Sequence, residues 1–108
     1  MSAPTSIGTA LITGASTGIG AIYADRLAKR GYDLILVARS QEKLSEVAAQ
    51  LKSTGRKIET ISADLTKNED VQRVAERLRT DPTITALVNN AGIGSAGKLL
   101  DEIGRAHV

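Results

Sequence analysis

The sequence is poor in the residue types that support several kinds of chemistry. Its 108 residues contain no Cys, Trp or Phe, with 2 Tyr and 1 His. Without Cys the chain forms no disulfide and no thiolate metal site, which fits a reducing compartment. With a single His, His107, it lacks a His-based metal cluster, and no Ser/His/Asp set is recognised. We therefore expect neither metal chemistry nor hydrolysis by a triad.

Charge and hydropathy argue against two further classes of partner. The 14 Lys and Arg nearly balance 12 Asp and Glu, and the two signs alternate along the chain, which argues against nucleic-acid binding. The longest apolar run, near residues 34–38, is too short to span a bilayer. No basic segment followed by a long apolar run opens the chain, so no signal peptide is predicted. We expect a cytoplasmic protein without a membrane partner.

Short apolar runs alternate with amphipathic stretches along the chain. Four strands are predicted at residues 9–13, 33–38, 57–62 and 86–89. Three helices are predicted over residues 19–30, between Ser40 and Gly55, and over residues 70–79. Ser40 is expected to cap the second helix, and Thr66 with Glu69 predicts a capping box for the third.

This alternation predicts a single α/β domain with a parallel sheet and right-handed crossovers. The first three strands step outward in one direction, and the fourth returns to the other side of the first, which gives the order 3-2-1-4. The first two helices then cover one face, and the third lies alone on the other. The reversal between the first and fourth strands forms a crevice in which a ligand binds.

A glycine-rich turn joins the first strand to the first helix. It reads Thr13-Gly14-Ala15-Ser16-Thr17-Gly18-Ile19-Gly20. Glycines let the chain turn sharply and let a phosphate approach the backbone, while the helix N-terminus offers free N–H groups and a positive dipole end. The turn is therefore predicted to bind phosphate. The alternative is a glycine-rich turn that holds no ligand.

This turn and two further motifs resemble those of the short-chain dehydrogenase/reductase family. The turn matches TGxxxGxG, Asn89-Asn90-Ala91-Gly92 closes the fourth strand, and Ala63-Asp64-Leu65 follows the third as a weaker match. The resemblance covers residues 9–100. It implies a Rossmann-type three-layer fold and hydride transfer between a nicotinamide dinucleotide and a small carbonyl or alcohol substrate. It also implies a homo-oligomeric parent protein.

The resemblance assigns most cofactor-binding residues. The pyrophosphate would lie along the turn, at Gly14, Ser16, Thr17, Gly18, Ile19 and Gly20. Asp64 would accept a hydrogen bond from the adenine amino group, beside the backbone of Leu65; alternatively, it is a solvated carboxylate before a helix. The adenosine ribose would pass Asn90, Ala91 and Gly92. Asn89 would brace the sheet.

The end of the second strand predicts which dinucleotide is preferred. NAD-binding folds place an acid there for the ribose 2′-hydroxyl, but this chain has Ala38-Arg39-Ser40. A carboxylate repels a 2′-phosphate, whereas an arginine binds it through two hydrogen bonds. Arg39 and Ser40 therefore predict NADP(H) rather than NAD(H). The alternative is that Arg39 is an ordinary surface arginine, and Thr17 stands where some relatives place a second basic residue.

The family's catalytic residues are missing from this sequence. The resemblance implies a Tyr-x-x-x-Lys pair, in which the lysine lowers the tyrosine pKa for proton transfer, and a serine on a later strand. Tyr23 and Tyr32 are each followed four residues later by leucine, and Ser95 lies too early to be the family's serine. No catalytic residue is predicted here, and the chain by itself is expected to be inactive.

Because the family's catalytic residues are missing, the sequence is interpreted as part of a domain. Residues 1–101 are predicted to be a partial NADP(H)-binding Rossmann domain. Residues 102–108 match the translation of a common sequencing-library adapter that ends in a stop codon, so they are expected to be non-native.

Two other functions stay open besides the reductase or dehydrogenase. One is a non-catalytic module that binds and senses NADP(H); the other is an isomerase or epimerase on the same scaffold. A Tyr-x-x-x-Lys pair farther along the gene would favour the enzyme over the sensing module.

Overall fold

Strands and helices alternate through the part of the chain that the computed structural model describes, residues 6–16 and 18–90. The elements in order are β1 (Thr9–Thr13), α1 (Gly18–Lys29), β2 (Asp33–Ala38), α2 (Gln41–Leu51), β3 (Ile58–Ser62), α3 (Asn68–Thr80) and β4 (Ile84–Asn89). A single 3₁₀ turn, Lys52–Thr54, extends α2. None of the helices in these residues is both long and apolar enough to cross a membrane.

The sheet has the predicted order and direction. Its strands lie in the order β3-β2-β1-β4, and every neighbouring pair is parallel. β1 and β2 run in register from Thr9 opposite Asp33 to Thr13 opposite Val37. Both central strands are apolar and almost completely buried, as expected for the middle of a parallel sheet. The reversal between β1 and β4 is therefore confirmed.

The two faces of the sheet carry separate cores. On one face α1 and α2 pack over alternate strand residues, with a buried core of Ala10, Ile12, Ala15, Ala24, Ala28, Leu34, Leu36, Ala38, Leu44, Val47 and Leu51. On the other face α3 is the one helix among the described elements, with a buried core of Leu11, Ile35, Val37, Ala63, Leu65, Val71, Val74 and Ala75. The strand residues alternate between the cores because successive strand side chains point to opposite faces.

The helix caps confirm one sequence prediction and correct another. The Ser40 hydroxyl accepts a hydrogen bond from the Lys43 N–H at 3.2 Å, so Ser40 is the predicted N-cap of α2. The predicted capping box of α3 is wrong: Lys67 is its N-cap and makes no side-chain capping bond. The Thr66 N–H and hydroxyl instead donate to the Asp64 carboxylate, so the preceding turn takes up the hydroxyl that a capping box would need.

Candidate functional site

The residues predicted to bind a ligand follow the carboxyl ends of parallel strands. Gly14 follows β1, Arg39 follows β2, and Asp64 comes two residues after β3. Asn90 follows β4 and is partly buried. Because the carboxyl ends of parallel strands meet at one edge, the fold brings these residues to the same edge, around the β1–β4 reversal. Thr17, Ala91 and Gly92 lie outside the described residues.

The turn after β1 has the geometry of an anion-binding loop. Gly14 and Gly18 have φ values of 65° and 50°, which residues other than glycine rarely adopt. A Cβ added at Gly18 would meet no atom within 4 Å, so the turn is open on that side. α1 begins at Gly18 with no acidic residue in its first turn, and Gly18 and Ile19 are exposed. A phosphate can therefore approach free N–H groups at the helix N-terminus.

Gly20 has a packing role that the sequence analysis missed. It is buried, and a Cβ there would lie 2.2 Å from the Gly14 carbonyl oxygen and 3.1 Å from the Ala15 Cα. Only glycine lets α1 pack this closely against the turn. Gly20 thus shapes the turn by allowing close approach, whereas Gly14 and Gly18 shape it through backbone conformation.

Arg39 is exposed directly after β2. Its carbonyl accepts a hydrogen bond from the Ser62 hydroxyl at 2.9 Å, which ties the end of β2 to the end of β3. Across the described residues no hydrogen bond or ion pair involves its guanidinium group. The positive charge helps lower the pKa of Asp64, so the two groups interact electrostatically. Arg39 directly precedes the N-cap of α2, whose helix dipole adds partial positive charge at this edge.

Asp64 is held in a turn of its own. Its Oδ1 accepts from the Thr66 hydroxyl at 2.6 Å and from the Thr66 N–H at 2.9 Å. These hydrogen bonds, first the hydroxyl and then the N–H, lower the pKa of Asp64, and Arg39 and Lys67 add smaller electrostatic effects. The carboxylate is therefore ionised at neutral pH and acts only as an acceptor. Leu65 beside it is buried in the core under α3.

Two further residues at this edge carry no motif signal. The Asp70 Oδ2 accepts from the Asp64 N–H at 2.7 Å. Arg73 donates to the Ser62 carbonyl at 2.8 Å and forms a 3.2 Å ion pair with Asp70. In sequence both look like solvated charges on an exposed helix face, and only the fold shows that they reach back to the β3–α3 loop.

The carboxyl end of β4 is attached to β1 by side chains. The buried Thr13 hydroxyl donates to the Asn89 Oδ1 at 2.8 Å, and the two residues are register partners. This contact confirms the prediction that Asn89 braces the sheet. It fixes β4 against β1 at the position where the next residue, Asn90, is predicted to face the cofactor.

A cavity among the described residues lies elsewhere, at the amino ends of the strands. It has a volume of about 560 Å³, and its charged lining includes Asp33, Glu59, Arg77 and Asp81. These groups already pair with one another or with backbone: Arg77 binds both Glu59 and Asp81, and Asp33 accepts from the Lys57 N–H. We place the functional site at the carboxyl edge, because its glycine turn and its exposed arginine leave groups available for a ligand. Within residues 6–16 and 18–90, His, Cys, Asp and Glu form no group of three that could bind a metal.

Comparison with known sequences identifies related proteins. The sequence pattern described as short chain dehydrogenase matches residues 8–105. Human 17-beta-hydroxysteroid dehydrogenase type 3 is 42% identical over 85 residues, which cover 78% of this chain and 27% of that protein. The very-long-chain 3-oxoacyl-CoA reductase of Coccidioides immitis is 43% identical over 88 residues, which cover 78% of this chain and 25% of that protein.

Solved structures share the fold. A bulky-bulky ketone specific alcohol dehydrogenase from Comamonas testosteroni aligns with a TM-score of 0.85 at 36% identity, covering 94% of this chain and 50% of that chain. A short-chain dehydrogenase from Sphingobium yanoikuyae in complex with NADPH aligns with a TM-score of 0.83 at 41% identity, covering 93% and 46%. This chain thus spans about a quarter of the curated relatives and about half of these structures. The family pattern and these relatives together show that the chain belongs to the short chain dehydrogenase family.

Proposed function

We propose that this chain is the NADP(H)-binding part of an oxidoreductase that transfers hydride from NADPH to a small carbonyl substrate, or from the corresponding alcohol to NADP+. The observation that carries the proposal is the end of β2, where Ala38 stands at the position of the acid in NAD-binding folds and the exposed Arg39 follows it directly. An arginine there favours a 2′-phosphate over a free 2′-hydroxyl.

The residues at the carboxyl edge fit such a dinucleotide. The glycine-rich turn, which is open at Gly18, and the exposed N-terminus of α1 suit the pyrophosphate. The ionised Asp64 suits the adenine amino group, and Arg39 lies near enough to influence its pKa. Gly20 keeps α1 close to the turn, which aims the helix N–H groups at the phosphate. These groups bind and orient the cofactor, and the nicotinamide supplies the hydride when it is bound.

The names of the relatives support the reaction class. They describe a hydroxysteroid dehydrogenase, a 3-oxoacyl-CoA reductase and a ketone-specific alcohol dehydrogenase, all of which interconvert carbonyl and alcohol groups. One related structure is described as a complex with NADPH. We infer the same reaction class for the whole protein, and we infer that its proton donor lies outside these 108 residues, since the sequence holds no Tyr-x-x-x-Lys pair.

The test uses the complete gene product. Binding of NADPH is followed by its fluorescence, and its oxidation is followed by absorbance with and without a panel of bulky ketones, steroid ketones and 3-oxoacyl thioesters. We expect saturable NADPH binding and ketone-dependent oxidation. Binding without turnover on any carbonyl would favour the sensing module, and absence of binding to either NADPH or NADH would refute the proposal.

A further inference from the structure

The first turn of α3 reaches back into the loop that precedes it. The Asp70 carboxylate uses Oδ2 to accept from the Asp64 N–H at 2.7 Å, and its Oδ1 pairs with Arg73 at 3.2 Å. The same Arg73 nitrogen donates to the Ser62 carbonyl at 2.8 Å. The backbone on both sides of Ala63 is thus fixed to one ion pair on α3.

This arrangement differs from an ordinary helix cap. A carboxylate at the third position of a helix normally accepts from the N–H of the N-cap residue, which here is Lys67. Asp70 instead binds the N–H three residues earlier, at Asp64. Glu69 also lies in the first turn and complements the helix dipole. The contact of Asp70 therefore serves the loop and its acidic residue rather than the helix end.

Asp64 is consequently held through both its backbone and its side chain. Asp70 fixes the backbone N–H, while Thr66 occupies Oδ1 through two hydrogen bonds. Over the described part of the chain, the Oδ2 of Asp64 accepts no hydrogen bond. One acceptor oxygen thus remains available on a carboxylate whose position is set by two neighbours.

The same network extends to the end of β2. The Ser62 hydroxyl donates to the Arg39 carbonyl at 2.9 Å, and Arg73 holds the Ser62 carbonyl. The loop bearing Asp64 and the backbone of Arg39 are therefore connected through one residue. A displacement of the Asp70–Arg73 pair would move the acceptor for the base relative to the cation for the 2′-phosphate.

We propose that Asp70 is a positioning residue that, with Arg73, places the Asp64 carboxylate to select adenine as the base of the bound dinucleotide. This inference rests on the proposed function, because it requires that the edge binds NADP(H). It assigns to α3 a part in base selectivity without direct contact with the cofactor.

The test compares two ligands in each variant of the complete gene product. NADPH carries adenine, whose amino group donates, whereas its hypoxanthine analogue carries a carbonyl oxygen at that position. Dissociation constants for both are measured by fluorescence titration, and their ratio is the readout. A loss of folded protein weakens the apparent binding of both ligands equally and leaves the ratio of their dissociation constants unchanged. We expect the unmodified protein to prefer NADPH by about tenfold, the value of one hydrogen bond to a charged acceptor.

Asp70→Ala is expected to reduce this preference to about twofold, because the Asp64 N–H loses its acceptor and the loop relaxes. The preference of Asp70→Asn for NADPH should lie between these two values. Its amide oxygen still accepts a hydrogen bond from the Asp64 N–H, but the neutral side chain no longer forms an ion pair with Arg73. Glu76→Ala is the matched control: Glu76 and Arg79 form an equivalent i,i+3 pair on α3, and their ion pair lies within the helix. It should retain the full preference.

Three other results would overturn the proposal, each in a distinguishable way. If the unmodified protein binds neither ligand, the proposed function is wrong and this inference with it. Equal affinity for both ligands would mean that Asp64 does not read the base, while NADP(H) binding stands. A full preference in Asp70→Ala would show that Asp70 has only a structural role.

Discussion

At the scale of single residues, Gly18 and Gly20 lie in the same turn but are under opposite steric constraints. Gly18 has a φ of 50° and open space where a Cβ would point, whereas a Cβ added at Gly20 would overlap the Gly14 carbonyl. A side chain at Gly18 therefore enters the open space that we propose the cofactor pyrophosphate occupies. A side chain at Gly20 forces α1 away from the turn.

Alanine at these positions should separate stability from binding. We expect Gly20→Ala to lower the free energy of unfolding by about 3 kcal/mol, because backbone atoms must move to accept the Cβ. Gly18→Ala should cost about 1 kcal/mol from its backbone conformation but should weaken NADPH binding more strongly than that loss explains. Denaturant unfolding and NADPH titration of the complete gene product measure both effects. Equal stability losses would contradict the steric argument.

Arg39 is expected to determine cofactor preference. Because an aspartate repels a 2′-phosphate and accepts from a free 2′-hydroxyl, Arg39→Asp should change the NADPH/NADH ratio of kcat/KM by at least about tenfold toward NADH. Arg26→Asp makes the same charge change at an exposed site on α1 and should leave the ratio unaltered. If the unmodified protein uses both cofactors equally well, the assignment of Arg39 is wrong.

Only part of the candidate site was predictable at this scale. Gly14, Arg39 and Asp64 were recognisable because each has a residue type and a position after a strand that together indicate a function. Asp70 and Arg73 were not, since their partners are backbone groups of a loop whose path depends on the folded sheet. Charges on an exposed helix face give no sequence signal for such contacts.

At the scale of elements, the bounds of the buried strands were easier to predict from sequence than those of the more exposed strand β4. β1 and β2 occupy the predicted residues because continuous apolar runs bounded by turns leave little choice. β4 begins at Ile84, two residues before the predicted start. The prediction missed these two residues because the exposed, polar Thr85 interrupts the apolar run. The α3 cap was wrong because Thr66 had two competing partners, and the short-range turn with Asp64 prevailed.

An ion-pair cluster joins the C-terminal end of α3 to β3. Arg77 binds Glu59 at 2.6 Å and Asp81 at 2.9 Å. The hydrogen bond from Arg77 is the main cause that lowers the pKa of Glu59 below 4.5. For Asp81 the hydroxyl of Thr83 comes first and Arg77 second in lowering the pKa below 3.8.

The cluster predicts an acid-sensitive contribution to stability. Carboxylates with pKa values lowered by folding stabilise the folded state above their unfolded values, near 4.5 and 3.8, and lose this effect as the pH falls through the lower folded values. Arg77→Met should therefore destabilise the protein at neutral pH, by about 1 kcal/mol or less for partly exposed pairs. The difference from the unmodified protein should shrink in acid. Arg79→Met, which removes a pair within α3, is the control, and unfolding curves across pH give the measurement. A difference that does not change with pH would exclude the carboxylates as its source.

At the scale of the whole molecule, the topology determines where the site lies. The chain steps outward through β1, β2 and β3 and returns to place β4 beside β1. Helices α1 and α2 therefore share one face, and the glycine-rich turn that we propose binds phosphate opens at the reversal. The strand order and the placement of the helices were predictable from sequence, because right-handed crossovers leave few ways to arrange alternating strands and helices.

The 108-residue chain by itself exposes surface that a stable α/β domain buries. In contrast to β1 and β2, every residue of β4 is at least partly exposed, and β4 pairs with β1 alone among the described strands. On α1, Ile19 and Ile22 are more than half exposed, and Tyr23 is 46% exposed. Each large apolar side chain left in water forgoes roughly 1.5–3 kcal/mol, against a typical domain stability of about 5–15 kcal/mol.

We therefore expect this chain, expressed alone, to associate or to unfold without cooperativity, to bind NADPH weakly and to reduce no ketone. Because β4 pairs only with β1 among the described strands, its other edge offers N–H and C=O groups to other chains, which favours association. Size-exclusion chromatography measures the association, and thermal unfolding followed by circular dichroism measures the cooperativity. The complete gene product serves as the reference in both experiments. A soluble monomer with one cooperative transition, raised by NADPH, would show that the four-stranded half folds independently. The exposed faces of α1 and β4 would then cost less than their area indicates, because apolar side chains at the surface are tolerated where the remaining core is sufficiently stable.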